Sequence, residues 1–202
     1  MNKIQIFKFI IVCLMIYSCK SDSTDYKNFH FKEYNMKIKI PVDFKSANEK
    51  EIKKFYNTGI RIGEKHGHEM DSIQNNLLFL NKGEFSSIKI KYTSVSDDVI
   101  KDYQNQWRKL NRINFDILNK EKIPESKIDT SSRIEKINDI NFYVFETNVK
   151  LLDLKNNKIN FKILRYSTPL KNLDFVINAG YVNQIDEEKI LESIKSIKIS
   201  KK

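Results

Sequence analysis

His66-Gly67-His68-Glu69 is the cluster in this chain whose residue types suit metal ligation. On an extended backbone alternate side chains share a face, so His66 and His68 would point the same way and both imidazoles could reach one zinc or copper ion. Glu64 and Asp71 could add oxygen ligands, and His30 is the remaining histidine. The same residues also suit an exposed polar loop between a helix and a strand, and two histidines fall short of the three or four firm ligands a zinc site uses. The other residue with chemistry of its own is Cys19. It follows a basic start (Lys3, Lys8), an unbroken apolar run over 9–17, and Ile16-Tyr17-Ser18, which together match the aliphatic-x-small-Cys pattern of a bacterial lipoprotein signal. The apolar run is too short for a mature membrane span and is flanked as a secretory leader is. Cleavage before Cys19 would leave an acylated cysteine as the first residue. An ordinary leader cut elsewhere would leave Cys19 as a plain thiol.

Other chemistries find less support. No Gly-x-Ser-x-Gly turn occurs, and no serine is paired with a histidine by any pattern. Asp97-Asp98 and Glu187-Glu188 stand at expected helix starts, where carboxylates favour the dipole. With five glycines in all, no phosphate-cradling loop is present. Two distant carboxylates of the glycosidase kind stay open at this level. No cofactor is expected.

Composition bounds the rest. Loss of Lys3 and Lys8 with the leader lowers the formal charge from +10 to +8. Acidic residues are interspersed with the basic ones, and no block of five like charges occurs, so nucleic acid is not an expected partner. Cys13 would leave with the leader and Cys19 would be acylated, so the folded part holds no disulfide framework. Residues 1–18 are therefore expected to be a signal peptide, 19–28 the lipidated cysteine and a polar tether, and 29–202 a single α+β domain.

The elements that must position these residues follow from periodicity. Residues 29–40 alternate, with Tyr34, Met36, Ile38 and Ile40 on one side, as one half-buried strand ended by Pro41. Ser46 can cap a helix carrying Ile52, Phe55, Tyr56 and Ile60. Residues 77–80 and 87–92 read as a hairpin around Asn81-Lys82-Gly83. Ser96 can cap a second helix with Val99, Tyr103, Trp107 and Leu110 on one face, which reads as core, and with Lys101, Arg108, Lys109 and Arg112 on solvated sides. From Ser131 onward, strands over 133–137, 142–149, 158–168 and 174–182 are separated by Asn138-Asp139, Asn156-Asn157 and Lys171-Asn172, an antiparallel meander. Glu146 and Arg165 stand in it as cross-strand partners or as members of a polar groove. Asp186 can cap a last helix with Ile190, Leu191 and Ile194, before a short strand at 197–199.

This succession resembles the PsbP/Mog-like fold, which includes DcrB-type envelope lipoproteins. The resemblance rests on Tyr34-x-Met36-x-Ile38-x-Ile40-Pro41-x-x-Phe44, on the late meander, and on Ile190-Leu191-x-Ser193-Ile194-x-Ser196-Ile197-Lys198-Ile199. It implies an antiparallel sheet of about six strands flanked by helices, no shared active site, and action by binding partners. Lys20-Ser21-Asp22 also resembles the start of surface-exposed lipoproteins of the Bacteroidetes. The expectation is a non-enzymatic lipoprotein, held at the outer membrane of a cell envelope by its lipid and serving an envelope protein partner. The alternatives are a small-ligand or metal-binding lipoprotein with a groove between sheet and helix, and an envelope hydrolase of unrecognised type.

Overall fold

The computed structural model describes residues 25–68, 75–120, 127–152 and 158–200, and in it period-two alternation builds two antiparallel sheets. The smaller has the order β1 (Tyr26–Phe31), β2 (Met36–Pro41), β10 (Lys198–Ile199). The larger runs β3 (Lys45–Ser46), β4 (Asn75–Lys82), β5 (Ser86–Ser94), β9 (Leu173–Tyr181), β8 (Lys158–Leu170), β7 (Ile140–Leu152), β6 (Lys127–Ile137). Four α-helices accompany them: α1 (Glu49–Lys65), α2 (Asp97–Lys101), α3 (Tyr103–Lys120) and α4 (Gln184–Lys195). Cys19 and residues 1–24 lie outside the described residues, as do Glu69, Asp71 and the Asn156-Asn157 separator. No described helix is long and apolar enough to cross a membrane.

The α+β antiparallel architecture is the one the sequence implies, with ten strands where about six were expected. Residues 29–40 are not one strand. A single 3-10 turn over Lys32–Tyr34 and left-handed Asn35 (φ 46°) reverse the chain, and β1 pairs with β2 from Tyr26↔Pro41 to Phe31↔Met36. The strand therefore begins inside the stretch expected to be tether, and the Tyr26 hydroxyl donates to Glu192 on α4 at 2.7 Å. The β4–β5 hairpin turns at Gly83 (φ 61°), and Asn138-Asp139 (φ 45° and 68°) turns β6 into β7, as two-residue hairpins with paired positive φ require.

Two helix starts differ from expectation, and the helix that begins after Ser96 as expected breaks in two. Asn48, not Ser46, caps α1: its side chain accepts from Glu51 N–H at 3.0 Å and Glu51 Oε2 accepts from Asn48 N–H at 2.9 Å, a reciprocal capping box. Ser46 is instead paired in β3. The helix from Ser96 stops at Asp102, whose carboxylate accepts from Asn105 (2.6 Å) and Gln106 (3.3 Å) as α3 restarts. Asn183 rather than Asp186 caps α4, accepting from Asp186 N–H at 2.8 Å.

The main core lies between one face of the large sheet and a cover made of β2 and α4. Met36, Ile38 and Ile40 meet Ile190, Ile194 and Ile197 from the cover. From the sheet come Ile88 and Ile90, Leu164 and Tyr166, Phe175 and Ile177, all at alternate positions of their strands. Each fully buried side chain of this size contributes roughly 1.5–3 kcal/mol, which fixes the register of β5, β7, β8 and β9. Register in turn assigns every intervening residue to the opposite face.

Candidate functional site

That opposite face is the one with unusual chemistry. Cross-strand pairing lines up Lys89 (β5), Asn178 (β9), Arg165 (β8) and Phe145 (β7) in one row. The row on one side is Ser87, Gly180, Ile163 and Thr147, and on the other Lys91, Val176, Ser167 and Tyr143. Two helices stand over these rows. At one end, α3 docks through Tyr103 and Trp107, both buried against Phe145 and Tyr143, with ring centroids 5.3 and 5.5 Å from Tyr143. Leu110, expected on that stripe, is exposed, because the buried line of α3 runs at steps of four through Tyr103, Trp107 and Asn111. Arg108, Lys109 and Arg112 are solvated as expected.

At the other end α1 stands over β4 and β5. Tyr56 hydroxyl donates to Asn76 Oδ1, and Phe55 packs edge-on against Phe79 at 5.6 Å. Among its described residues only Gly63 is buried, and Phe55 is 48% exposed. The apolar stripe of α1 thus faces a gap rather than a packed neighbour. Between α1, the far end of α3 and the sheet lies a cavity of about 460 Å³, within the range of ligand pockets (roughly 300–1,000 Å³). Tyr56, Ile60 and Ile62 wall it from α1, Asn114 and Ile117 from α3, and Phe145, Phe161 and Ile163 from the sheet. Gly180 deepens the floor: a Cβ there would meet the Phe161 ring at 3.1 Å.

The charged groups that line this groove are, among the described residues, cationic. Lys89, Lys91 and Arg165 line it, and among the described residues no carboxylate does. Lys89 Nζ sits 3.0 Å from the centroid of the Phe55 ring and 4.5 Å from that of Phe79. Burial, with a smaller contribution from Lys91, pushes its pKa down to about 7. Arg165 Nε donates to Ser167 at 3.1 Å, and Asp174 lies 3.7 Å away while also accepting from Tyr103. Burial lowers the Arg165 pKa from its ordinary value, against the pull of Asp174. Glu146 faces the other side of the sheet, where it accepts from Arg133 at 3.1 Å. Of the two readings open for this pair, Arg165 belongs to the groove and Glu146 has a cross-strand partner in Arg133.

The other charged clusters are structural. Lys82 bridges Asp186 (2.5 Å) and Asp43 (2.8 Å), Lys189 joins Asp43 at 2.9 Å, and Ser86 donates to Asp186. Bonds donated to both carboxylates raise the Lys82 pKa, and burial of Asp186 is outweighed by its bonds from Lys82, Ser86 and Asn183, which hold it low. A protonated lysine is no base, and Ser86 is buried. This network ties the β4–β5 hairpin to the start of α4.

His66 and His68 sit at the end of α1 on a turned backbone. His68 N–H bonds Gly63 carbonyl (3.0 Å), Gly67 N–H bonds Glu64 carbonyl (2.9 Å), and Gly67 has φ 77°, a Schellman cap. The alternation that put both imidazoles on one side belongs to an extended chain, which this is not. Among the described residues no group of three metal-ligating side chains forms, and His30 lies on β1 opposite Lys37.

This arrangement of an antiparallel sheet, helices on its faces and a small second sheet joining β1 and β2 to β10 is the PsbP/Mog-like fold. It is shared with the cyanobacterial PsbP protein CyanoP from Synechocystis sp. PCC 6803 (TM-score 0.52, 10% identity, 90% of this chain and 97% of that one). It is shared also with a Bacteroides thetaiotaomicron protein (TM-score 0.50, 11% identity), where the match covers 88% of this chain and 50% of that one. The Saccharomyces cerevisiae Ran-binding protein Mog1p is a weaker likeness, at TM-score 0.36 and 11% identity over 88% of this chain and 96% of that one. At these identities the likeness is one of fold. No family model matches the sequence, and no curated protein does.

Proposed function

We propose that this chain is a lipid-anchored binding protein of the cell envelope, without catalysis of its own, whose binding element is the groove between α1, α3 and the large sheet. The observation that carries this reading is a cavity of about 460 Å³ with apolar walls and a polar floor, on a sheet face that the core leaves uncovered. Of the binding roles open from sequence, it favours a ligand between sheet and helix over a flat protein-docking surface. Anchoring rests on the Cys19 signal, and an envelope partner protein would deliver or receive what the groove holds. With β1 beginning at Tyr26, residues 20–25 could hold the domain within about 20 Å of its lipid.

The test uses the lipidated chain purified gently from native membranes, with bound small molecules read by native mass spectrometry. Gly59 on α1 lines the groove, and a Cβ there meets nothing within 4 Å, so Gly59→Trp fills the groove without a backbone clash. A small molecule that accompanies wild type and is lost from Gly59→Trp supports the proposal. Wild type that carries none, or a bound molecule indifferent to Gly59→Trp, refutes it. Co-purification of a partner above a Cys19→Ser control would identify the pathway served.

A further inference from the structure

We infer that the groove takes a single-chain amphipathic anion, its acyl chain between the apolar faces of α1 and the sheet and its anionic head on the Lys89–Asn178–Arg165 row. The inference rests on the groove reading above and names the class of ligand. Three features carry it. First, register, not chance proximity, sets Lys89 and Arg165 on either side of Asn178, so two cations and an amide donor form a fixed row. Second, the charge there is compensated only in part. Among the described residues no carboxylate lines the groove, Lys89 rests on the faces of Phe55 and Phe79, and the Asp174 that serves Arg165 is 3.7 Å away and shared with Tyr103. An anion replaces ring faces with charge-assisted hydrogen bonds, the stronger partner for buried cations. Third, the walls around that row are mostly hydrocarbon or aromatic, with Tyr56, Ile60 and Ile62 from α1, Ile117 from α3, Phe161 and Ile163 from β8, and Asn114 of α3 as a polar exception.

Each alternative class leaves part of this unmatched. A neutral apolar molecule would bury the cations further with nothing to meet them. A small inorganic anion would leave the apolar walls empty. An acyl chain ending in a carboxylate or a phosphate satisfies both, and burial of each methylene contributes to affinity along the wall.

The lipidated chain, held in nanodiscs of zwitterionic phospholipid, is exposed to a photoreactive palmitate analogue and the labelled peptides are mapped by mass spectrometry. Label is expected in α1 and β8, removed by Gly59→Trp. Excess palmitate or lysophosphatidic acid competes at least about tenfold better than hexadecanol; whichever of the two anions competes more strongly names the head group. Lys89→Met weakens palmitate competition about tenfold while the protein becomes no less stable, so lost binding is separated from lost fold. Equal competition by hexadecanol and palmitate, or a Lys89→Met protein that binds palmitate as before, overturns the anion assignment and leaves the groove as a plain apolar binder. Absence of groove label that Gly59→Trp abolishes overturns the groove reading itself.

Discussion

A lysine kept in an apolar groove for its ligand should cost the empty protein stability, and Lys89 allows that cost to be measured. Its pKa drops from the ordinary 10.5 to about 7, first through burial and then through Lys91. At ~1.4 kcal/mol per factor of ten, that corresponds to about 5 kcal/mol against the charged, folded form. The ring faces of Phe55 and Phe79 return roughly 1–2 kcal/mol as cation–π attraction, leaving about 3 kcal/mol net. The groups that share the groove with Lys89 are Lys91 on its own strand, Arg165 on β8 and Tyr56 on α1, so the nearby charge is positive and none of it relieves the penalty. The sign follows from linkage. Below about pH 7 Lys89 is protonated folded and unfolded, and the whole penalty applies. As pH rises toward 10.5 the folded state sheds the proton before the unfolded state does, so wild-type stability recovers the net penalty of about 3 kcal/mol, at no more than ~1.4 kcal/mol per pH unit. Lys89→Met has no such group. It should be more stable than wild type by about 3 kcal/mol at pH 6, a shift of 1–2 M in urea midpoint at a slope of roughly 2 kcal/mol/M, and the advantage should shrink steadily toward pH 10. Trp107, the single tryptophan, is buried where α3 meets the sheet and reports the transition by fluorescence. The difference between the two proteins cancels the other titrating groups. Parallel pH profiles, or a less stable Lys89→Met at pH 6, would refute the account of Lys89 as a desolvated cation.

Other substitutions probe the same frame. Asn111 on α3 is buried, and neither its amide nitrogen nor its oxygen has a partner among the described residues; Asn111→Leu, of the same branched shape, should stabilise by about 1–2 kcal/mol in the same urea assay. Asn48→Ala removes the side-chain acceptor of Glu51 N–H, leaving only the reciprocal bond from the residue-48 backbone to Glu51, and should cost about 1 kcal/mol, with faster amide exchange confined to the first turns of α1. Cys19→Ser should abolish incorporation of labelled palmitate and release the chain from membranes, whereas continued incorporation would place the acylation elsewhere. Calorimetry with zinc on wild type and on His66→Ala decides the metal reading, for which the turned cap at Gly67 predicts no difference between the two.

Much of the fold was readable because burial on one side leaves a periodic trace. Ile88 and Ile90, Phe142 and Val144, Leu164 and Tyr166 alternate, and the turn residues between them need positive φ at Asn138, Asp139 and Lys171. Boundaries were misread where two plausible caps lay close together. Ser46 and Asp186 are as good by type as Asn48 and Asn183, and only the reciprocal partner at Glu51 and the burial of Asp186 against Lys82 and Ser86 decide between them. The β1–β2 reversal was missed because Lys32–Tyr34 carries no glycine or proline, and a single left-handed asparagine completes the turn.

A groove between sheet and helix was open from the sequence, but its lining escaped for a different reason. In Ser87-Ile88-Lys89-Ile90-Lys91 the lysines look like the solvent side of a half-buried strand, because alternation records only that two faces differ. It does not record whether the polar face meets water or a second layer of helices. Nor does it show that a lysine on β5 and an arginine on β8 share one row, since β9 inserts between them and arrives about 85 residues after β5. Arg165 could be flagged from its apolar neighbours, but Lys89 could not. α1 did leave a trace: Ile52, Phe55, Tyr56 and Ile60 form a stripe fit for a core, yet in the fold none of them is buried. A helix this amphipathic and this little buried holds its place over an unfilled space. The same uncovered stripe and the desolvated Lys89 beside Arg165 are what an amphipathic anion would satisfy together, so one ligand accounts for two features that the fold alone leaves costly.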